Sequence, residues 1–296
     1  VAAVSAAGGF GCLGASTMGA DQRVEQMTAV RAETDLPFGV DLLAVIGGEL
    51  LRRVELLIGG GASVFVAGLG VPIDAIDLCH QRGVLVANMC GKVSHAVRAV
   101  ASGCDLVVAQ GTEAGGHTGL VATMPLVPQI VDAVGDKVPV VAAGGIFDGR
   151  GLAAALALGA DGIWVGTRFI ATPEARGVPG YKDALLGSGE DGTVISRAYS
   201  GKPMRVIRNE FTEHFVEHPE ELLPFPNQLG TSMGANAWHL GGDESTSDVD
   251  LTKEGFPAGQ GVGAIDALVP AGDLVARFMA EAEAAMGRLA GIGAPG

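Results

Sequence analysis

Residues 62–111 read ASVFVAGLGVPIDAIDLCHQRGVLVANMCGKVSHAVRAVASGCDLVVAQG, and the alternation inside them decides the fold. Three short runs, ASVFVAGLG (62–70), GVLVANM (83–89) and DLVVAQG (105–111), are apolar throughout instead of at every second position. Continuous apolar character is what a parallel strand covered on both faces requires. The stretches between them, 72–81 and 92–102, carry apolar residues at helical spacing. Pro72 suits the first turn of a helix, and Gly83 and Gly103 stand where helices close in a left-handed residue. Strands and helices in this rhythm mean parallel α/β architecture.

The rhythm continues in both directions. Strand-like runs recur at GFGCLGA (9–15), PFGVDLL (37–43), VPVVAAGG (138–145) and DGIWVG (161–166). Helical spacing recurs at 21–33, 46–58, 124–134 and 148–159. The pattern predicts an α/β fold, a TIM (β/α)8 barrel, in preference to an open doubly wound sheet. Glycines gather at the C-terminal ends of successive strands, where a barrel presents its active-site loops. Seven strands are visible and the sequence opens on a helical VAAVSAAGG, so the barrel's first strand is expected ahead of Val1. Residues 1–171 read as the barrel core. Residues 172–258, richer in Pro and acids, read as a cap or insertion over the barrel mouth. Residues 259–296 read as a C-terminal segment whose 270–290 stretch is an amphipathic helix packing on the barrel.

Composition narrows the function. The 296 residues are 48% hydrophobic, which excludes a disordered chain. Net charge is −14, from 33 acidic and 19 basic residues, so a phosphate-neutralising nucleic-acid footprint is disfavoured. Apolar runs stop at about half of the ~20 residues a membrane helix needs, and no secretory leader is expected. Cys12, Cys79, Cys90 and Cys104 form no C-x-x-C pair and are expected as small buried thiols in a reducing cytoplasm. Gly9–Gly14 and Gly259–Ala264 match dinucleotide-binding glycine patterns, yet neither opens a helix after a strand inside a strand–helix–strand unit. His214 to His218 matches an inverted zinc-protease pattern, but Pro219 ends the helix that would carry both histidines. No metal site is expected, and Glu220 and Glu221 read as a solvated face.

The densest chemistry is QGTEAGGHTG (110–119), which follows the apolar run DLVVA. Its glycines let backbone approach a ligand, and a loop His117 at that rim can act as a base near neutral pH. Ala143-Gly144-Gly145 and Val165-Gly166-Thr167 end two further strands. Bare N–H groups there, with the Thr167 hydroxyl, suit a phosphate.

These blocks, in this order and spacing, resemble the nitronate monooxygenase (2-nitropropane dioxygenase-like) flavoproteins; PFGVDLL, SGKPMRVIRNEF (200–211) and AGQGVGAI (258–265) add to the match. The superfamily includes FMN-dependent enoyl-acyl-carrier-protein reductases and some NADH:quinone reductases. The resemblance implies FMN held non-covalently at the C-terminal face of a TIM barrel. It places Gln110 and Gly115, with Gly116, against the flavin, and Gly144, Gly145, Gly166 and Thr167 around the phosphate. His117 matches the family's catalytic base. Asp41 stands where the family usually has a flavin-contacting Asn. Lys92 reads either as a cation near the flavin N1–O2 edge or as a solvated lysine. The implied activity is oxidation of alkyl nitronates with dioxygen. The alternative is NADH-dependent reduction of enoyl thioesters or quinones, and a third reading is a barrel that binds flavin without turnover. The expected partner is a small molecule, with neither nucleic acid nor membrane; a homo-oligomer is compatible with the reading.

Overall fold

Strands and helices alternate along the computed structural model, which describes residues 1–44, 49–239 and 242–292. The order begins α1 (Ala2–Ala6), β1 (Gly11–Gly14), α2 (Ala20–Glu33), β2 (Phe38–Leu43), α3 (Leu50–Gly59), β3 (Val64–Gly68) and α4 (Ile73–Gln81). It continues β4 (Leu85–Cys90), α5 (Val93–Ala101), β5 (Leu106–Gln110), β6 (Gly116–His117), α6 (Thr123–Val134), β7 (Val140–Ala143), α7 (Gly149–Ala157), β8 (Gly162–Trp164) and α8 (Thr167–Ile170). Then follow α9 (Tyr181–Leu186), β9 (Thr193–Ser196), β10 (Met204–Ile207), α10 (Glu210–Glu217), α11 (Asn227–Gly234) and α12 (Ala271–Ile292). The expected start of the third helix at 46 falls on residues outside those described.

One sheet takes its strands in the order β1-β2-β3-β4-β5-β7-β8, every neighbouring pair parallel. Strands β1 and β8 are its edges, yet Leu13 and Trp164 line one common cavity, so the sheet curls as a TIM-type barrel does. The strands are apolar throughout because both faces are covered. On β3, Phe65 and Ala67 pack outward in the main core with Met27, Leu57 and Ile76, while Val64 and Val66 pack with Ala87, Met89 and Trp164. Helices close where glycine permits a left-handed residue: Gly83, Gly103 and Gly159 have φ of 71°, 96° and 91°.

A second sheet of three antiparallel strands, in the order β6-β10-β9, rises beside the C-terminal ends of the barrel strands. Its own core joins Tyr199, Met204, Val206, Phe215 and Ala237. Helix α12 lies along α7, with Leu152, Ala153, Ala282 and Ala285 packed together. The Phe169 and Phe278 rings stack at 6.2 Å. The two decoy glycine patterns become strand β1 with its approach and a 3-10 turn over Gln260–Ala264. Among the described residues no helix is long and apolar enough to cross a membrane.

Candidate active site

The QGTEAGGHTG block leaves the end of β5 and folds back through backbone contacts that only small residues permit. A Cβ on Gly115 would stand 2.8 Å from the Ala258 carbonyl carbon, so two chain segments meet there without a side chain between them. Glu113 fixes the turn: its carboxylate accepts the Thr123 N–H at 2.9 and 3.1 Å and the Thr123 hydroxyl at 3.0 Å. It thereby caps the start of α6, whose N-cap residue Ala122 has no side chain to do so. Arg205 of β10 reaches the same turn and donates to the Thr112 carbonyl at 3.0 Å.

His117 does not sit in an open loop, as its sequence context suggests. It forms strand β6 with Gly116 and pairs in register with Met204 and Arg205 of β10. The reason is that the segment after Ser200 supplies the strand partner the block lacks locally. The Gln110 side-chain amide donates to the His117 carbonyl at 3.1 Å, and Nε2 of His117 lies 2.8 Å from Oγ of buried Ser200. That hydroxyl also accepts the Lys202 N–H at 3.2 Å, with the Lys202 carbonyl 3.3 Å away. Burial, and after it the charge of nearby Lys202, lowers the His117 pKa to about 4. The imidazole is therefore neutral at physiological pH, with a lone pair available on one ring nitrogen.

His117 shares a cavity of about 1530 Å³ with Asp41, Lys92, Gln110, Gly115, Gly116 and Gly166. The cavity reaches from the rim into the barrel along the β1 and β8 edges. At its rim Leu69 holds φ of 54°, a strained conformation for a branched side chain, directly after β3. Lys92 is the exposed residue preceding α5. Gly144 and Gly145, with φ of 105° and 71°, line a separate cavity of about 300 Å³ beside Glu113 and Thr123. Thr167 lies next to Gly166, and its hydroxyl oxygen accepts the Gly259 N–H at 2.9 Å. Among the described residues, the N–H groups of Gly144, Gly145, Gly166 and Thr167 have no protein acceptor. Of these, Gly166 and Thr167 stand at the start of α8, where unpartnered donors suit an anion, whereas the start of α7 is capped by the Asp148 and Glu281 carboxylates.

The inverted zinc pattern stays together on the surface: the His214 and His218 rings lie 4.9 Å apart, and exposed His218, Glu220 and Glu221 bring their ligand atoms within 4.8 Å of one another. His214 is on α10, while His218 lies beyond its end; both are exposed and face Glu221 at 2.9 Å and Glu220 at 3.4 Å. The thiols of Cys79, Cys90 and Cys104 are buried, and that of Cys12 is partly so. Ser200, Glu113 and Arg205 were invisible as site residues in the sequence. Only the SGKPMRVIRNEF match hinted that the 200–211 segment belongs beside the block.

With this geometry in hand, comparison with known proteins is informative. The family model described as nitronate monooxygenase matches residues 1–47 and 44–281. A (3aS,4S,5R,7aS)-5-hydroxy-7a-methyl-1-oxo-octahydro-1H-indene-4-carboxyl-CoA dehydrogenase of Mycobacterium tuberculosis is 43% identical over 214 aligned residues, covering 72% of this chain and 60% of that relative. FabK from Thermotoga maritima superposes with a TM-score of 0.86 at 32% identity, covering 98% of this chain and 90% of that one. Nitroalkane oxidase from Streptomyces ansochromogenes superposes with a TM-score of 0.83 at 29% identity, covering 97% and 92%. The chain is an oxidoreductase and belongs to the nitronate monooxygenase family.

Proposed function

We propose that this enzyme oxidises alkyl nitronates, or closely related small carbon acids, with dioxygen and a non-covalently held FMN. The observation that carries the reading is a neutral imidazole fixed on the wall of a large cavity that Gly166, whose N–H finds no protein acceptor, also lines. The residues present suit FMN. Gly144, Gly145, Gly166 and Thr167 would hold the phosphate, and Gln110, Gly115, Gly116, Asp41 and Lys92 would surround the ring. Bound there, FMN supplies the electron-accepting chemistry.

The remaining work belongs to the chain. His117 accepts the proton alpha to a nitro group, or hydrogen-bonds the nitronate where that proton is already gone. Its low proton affinity keeps the base form available across the neutral range, at some loss of driving force. Ser200 fixes the imidazole plane. Residues 172–258 act as the cap that carries Ser200 and Lys202 to the cavity and limits water there.

The test compares His117→Ala on a neutral nitroalkane and on its preformed nitronate. The base role is supported by a fall of roughly 10²–10⁴-fold on the first and a small change on the second. Equal loss on both substrates overturns it.

A second reading is favoured by the 43% identical relative named as an indene-4-carboxyl-CoA dehydrogenase. It is a redox enzyme acting on a thioester, with NADH as reductant in one form. Rapid anaerobic bleaching of the bound flavin by NADH supports that reading, and an unchanged spectrum favours the nitronate.

A further inference from the structure

Asp41 occupies a position with two demands that conflict. It lines the same cavity as His117 and Gln110, two residues before the end of β2. The groups that face it are few. From β1 comes the Cys12 thiol, which burial and the Asp41 carboxyl both hold in the protonated form. From the segment after β1 comes the Ser16 hydroxyl, whose oxygen accepts the Leu43 N–H at 2.7 Å and whose proton is left for Asp41. From β3 comes Gly68, which has no side chain; a Cβ there would lie 3.9 Å from the Asp41 carboxyl. Among the described residues no Lys, Arg or His acts on it; Arg53 of α3 comes to the Ser16 carbonyl, at 3.4 Å, rather than to the carboxyl. A carboxylate at this place is a half-buried charge on the cavity wall, with one hydrogen-bond donor and no cation beside it.

Burial accordingly raises the Asp41 pKa to about 7, with Ser16 opposing weakly. A protonated carboxyl has the shape of an amide and, like one, presents both a donor and an acceptor. It can therefore serve a polar ring that an amide would serve, whereas the ionised form can only accept and repels negative charge that gathers on a reduced ring.

We propose that Asp41 binds the flavin ring as a neutral carboxylic acid donating a hydrogen bond, so that loading the cofactor takes up a proton wherever the empty protein holds Asp41 ionised. This rests on FMN being the ligand of the cavity. It makes Asp41 a proton-linked cofactor residue rather than a permanent charge beside the ring.

The experiment is calorimetric titration of the flavin-free protein with FMN at pH 8, in two buffers of different ionisation enthalpy, for wild type and Asp41→Asn. Wild type is expected to take up close to one proton more per FMN than Asp41→Asn. Its dissociation constant is expected to rise by up to tenfold per pH unit above neutrality relative to the variant. Ionisation of the FMN phosphate contributes equally to both proteins and cancels in the difference. If Asp41→Asn fails to fold, Asp41→Thr provides the same comparison. Equal proton uptake in wild type and variant, with FMN bound by both, overturns the role of Asp41 and leaves the cofactor reading intact. Absence of FMN binding by wild type overturns both.

Discussion

Nε2 of His117 and Oγ of Ser200 lie 2.8 Å apart although 83 positions separate them in the chain. The contact joins the glycine-rich loop of the barrel to the small antiparallel sheet beside it, and it orients an imidazole on the cavity wall whose pKa burial lowers to about 4.

Removing that hydroxyl is the most local perturbation. Ser200→Ala leaves Nε2 without its protein partner while β6 and β10 still pair. Turnover of neutral nitroalkanes is expected to fall roughly tenfold, equivalent to about 1.4 kcal/mol, with little change on preformed nitronates. Steady-state kinetics on both substrates checks it.

The acid limb of the pH profile follows from His117. Its pKa of about 4 lies below the ordinary histidine value near 6.5, so the base form persists on lowering the pH. The limb of kcat/KM for neutral nitroalkanes should lie between about pH 4 and 5. The unfolded chain binds this proton first, so the same group makes stability fall as pH drops from about 6.5 to about 4. Initial rates and thermal melts over that interval measure both effects.

Glu113 is expected to matter for stability rather than for chemistry. Glu113→Ala removes a carboxylate that accepts three hydrogen bonds at the start of α6, at a cost of about 2 kcal/mol. Glu113→Gln should recover about half, because one acceptor oxygen remains while the charge facing the helix start is lost. Urea unfolding of the three proteins at neutral pH gives the comparison.

Asp41 carries the opposite sign from most carboxylates. The folded protein holds its proton up to about pH 7, whereas the unfolded chain releases it near 3.9. Between those values the folded state binds more protons, so wild-type stability declines as pH rises and the decline is complete above about 7. Asp41→Asn lacks this term. The flavin-free variant should be more stable than wild type at pH 8, by at most about 4 kcal/mol in urea unfolding, with the gap closing toward pH 4.

The barrel was legible because parallel strands covered on both faces have nowhere to place polar residues. Runs such as 62–70 and 105–111 thus announce themselves, and Gly83, Gly103 and Gly159 mark the helix ends. The small sheet was not. Strand β6 is two residues long, β9 and β10 are four each, and strands this short leave no period to read. Their pairing is set by the return of the chain from residue 172 onward, which local sequence does not encode. The glycine block and His117 stood out by residue type alone. Ser200 and Glu113 did not, because a serine or glutamate acquires its meaning from what it faces. Gly144 and Gly145 were read as phosphate loops, and their free N–H groups suit that role, but they border the smaller cavity beside Glu113.

The most direct measurement is equilibrium titration of the flavin-free protein with FMN and, separately, with riboflavin. Binding of one FMN per chain, with riboflavin at least about a hundredfold weaker because the N–H groups of Gly144, Gly145, Gly166 and Thr167 lose their anion, is the expected result. Equal affinity for the two, or no binding of either, contradicts the account.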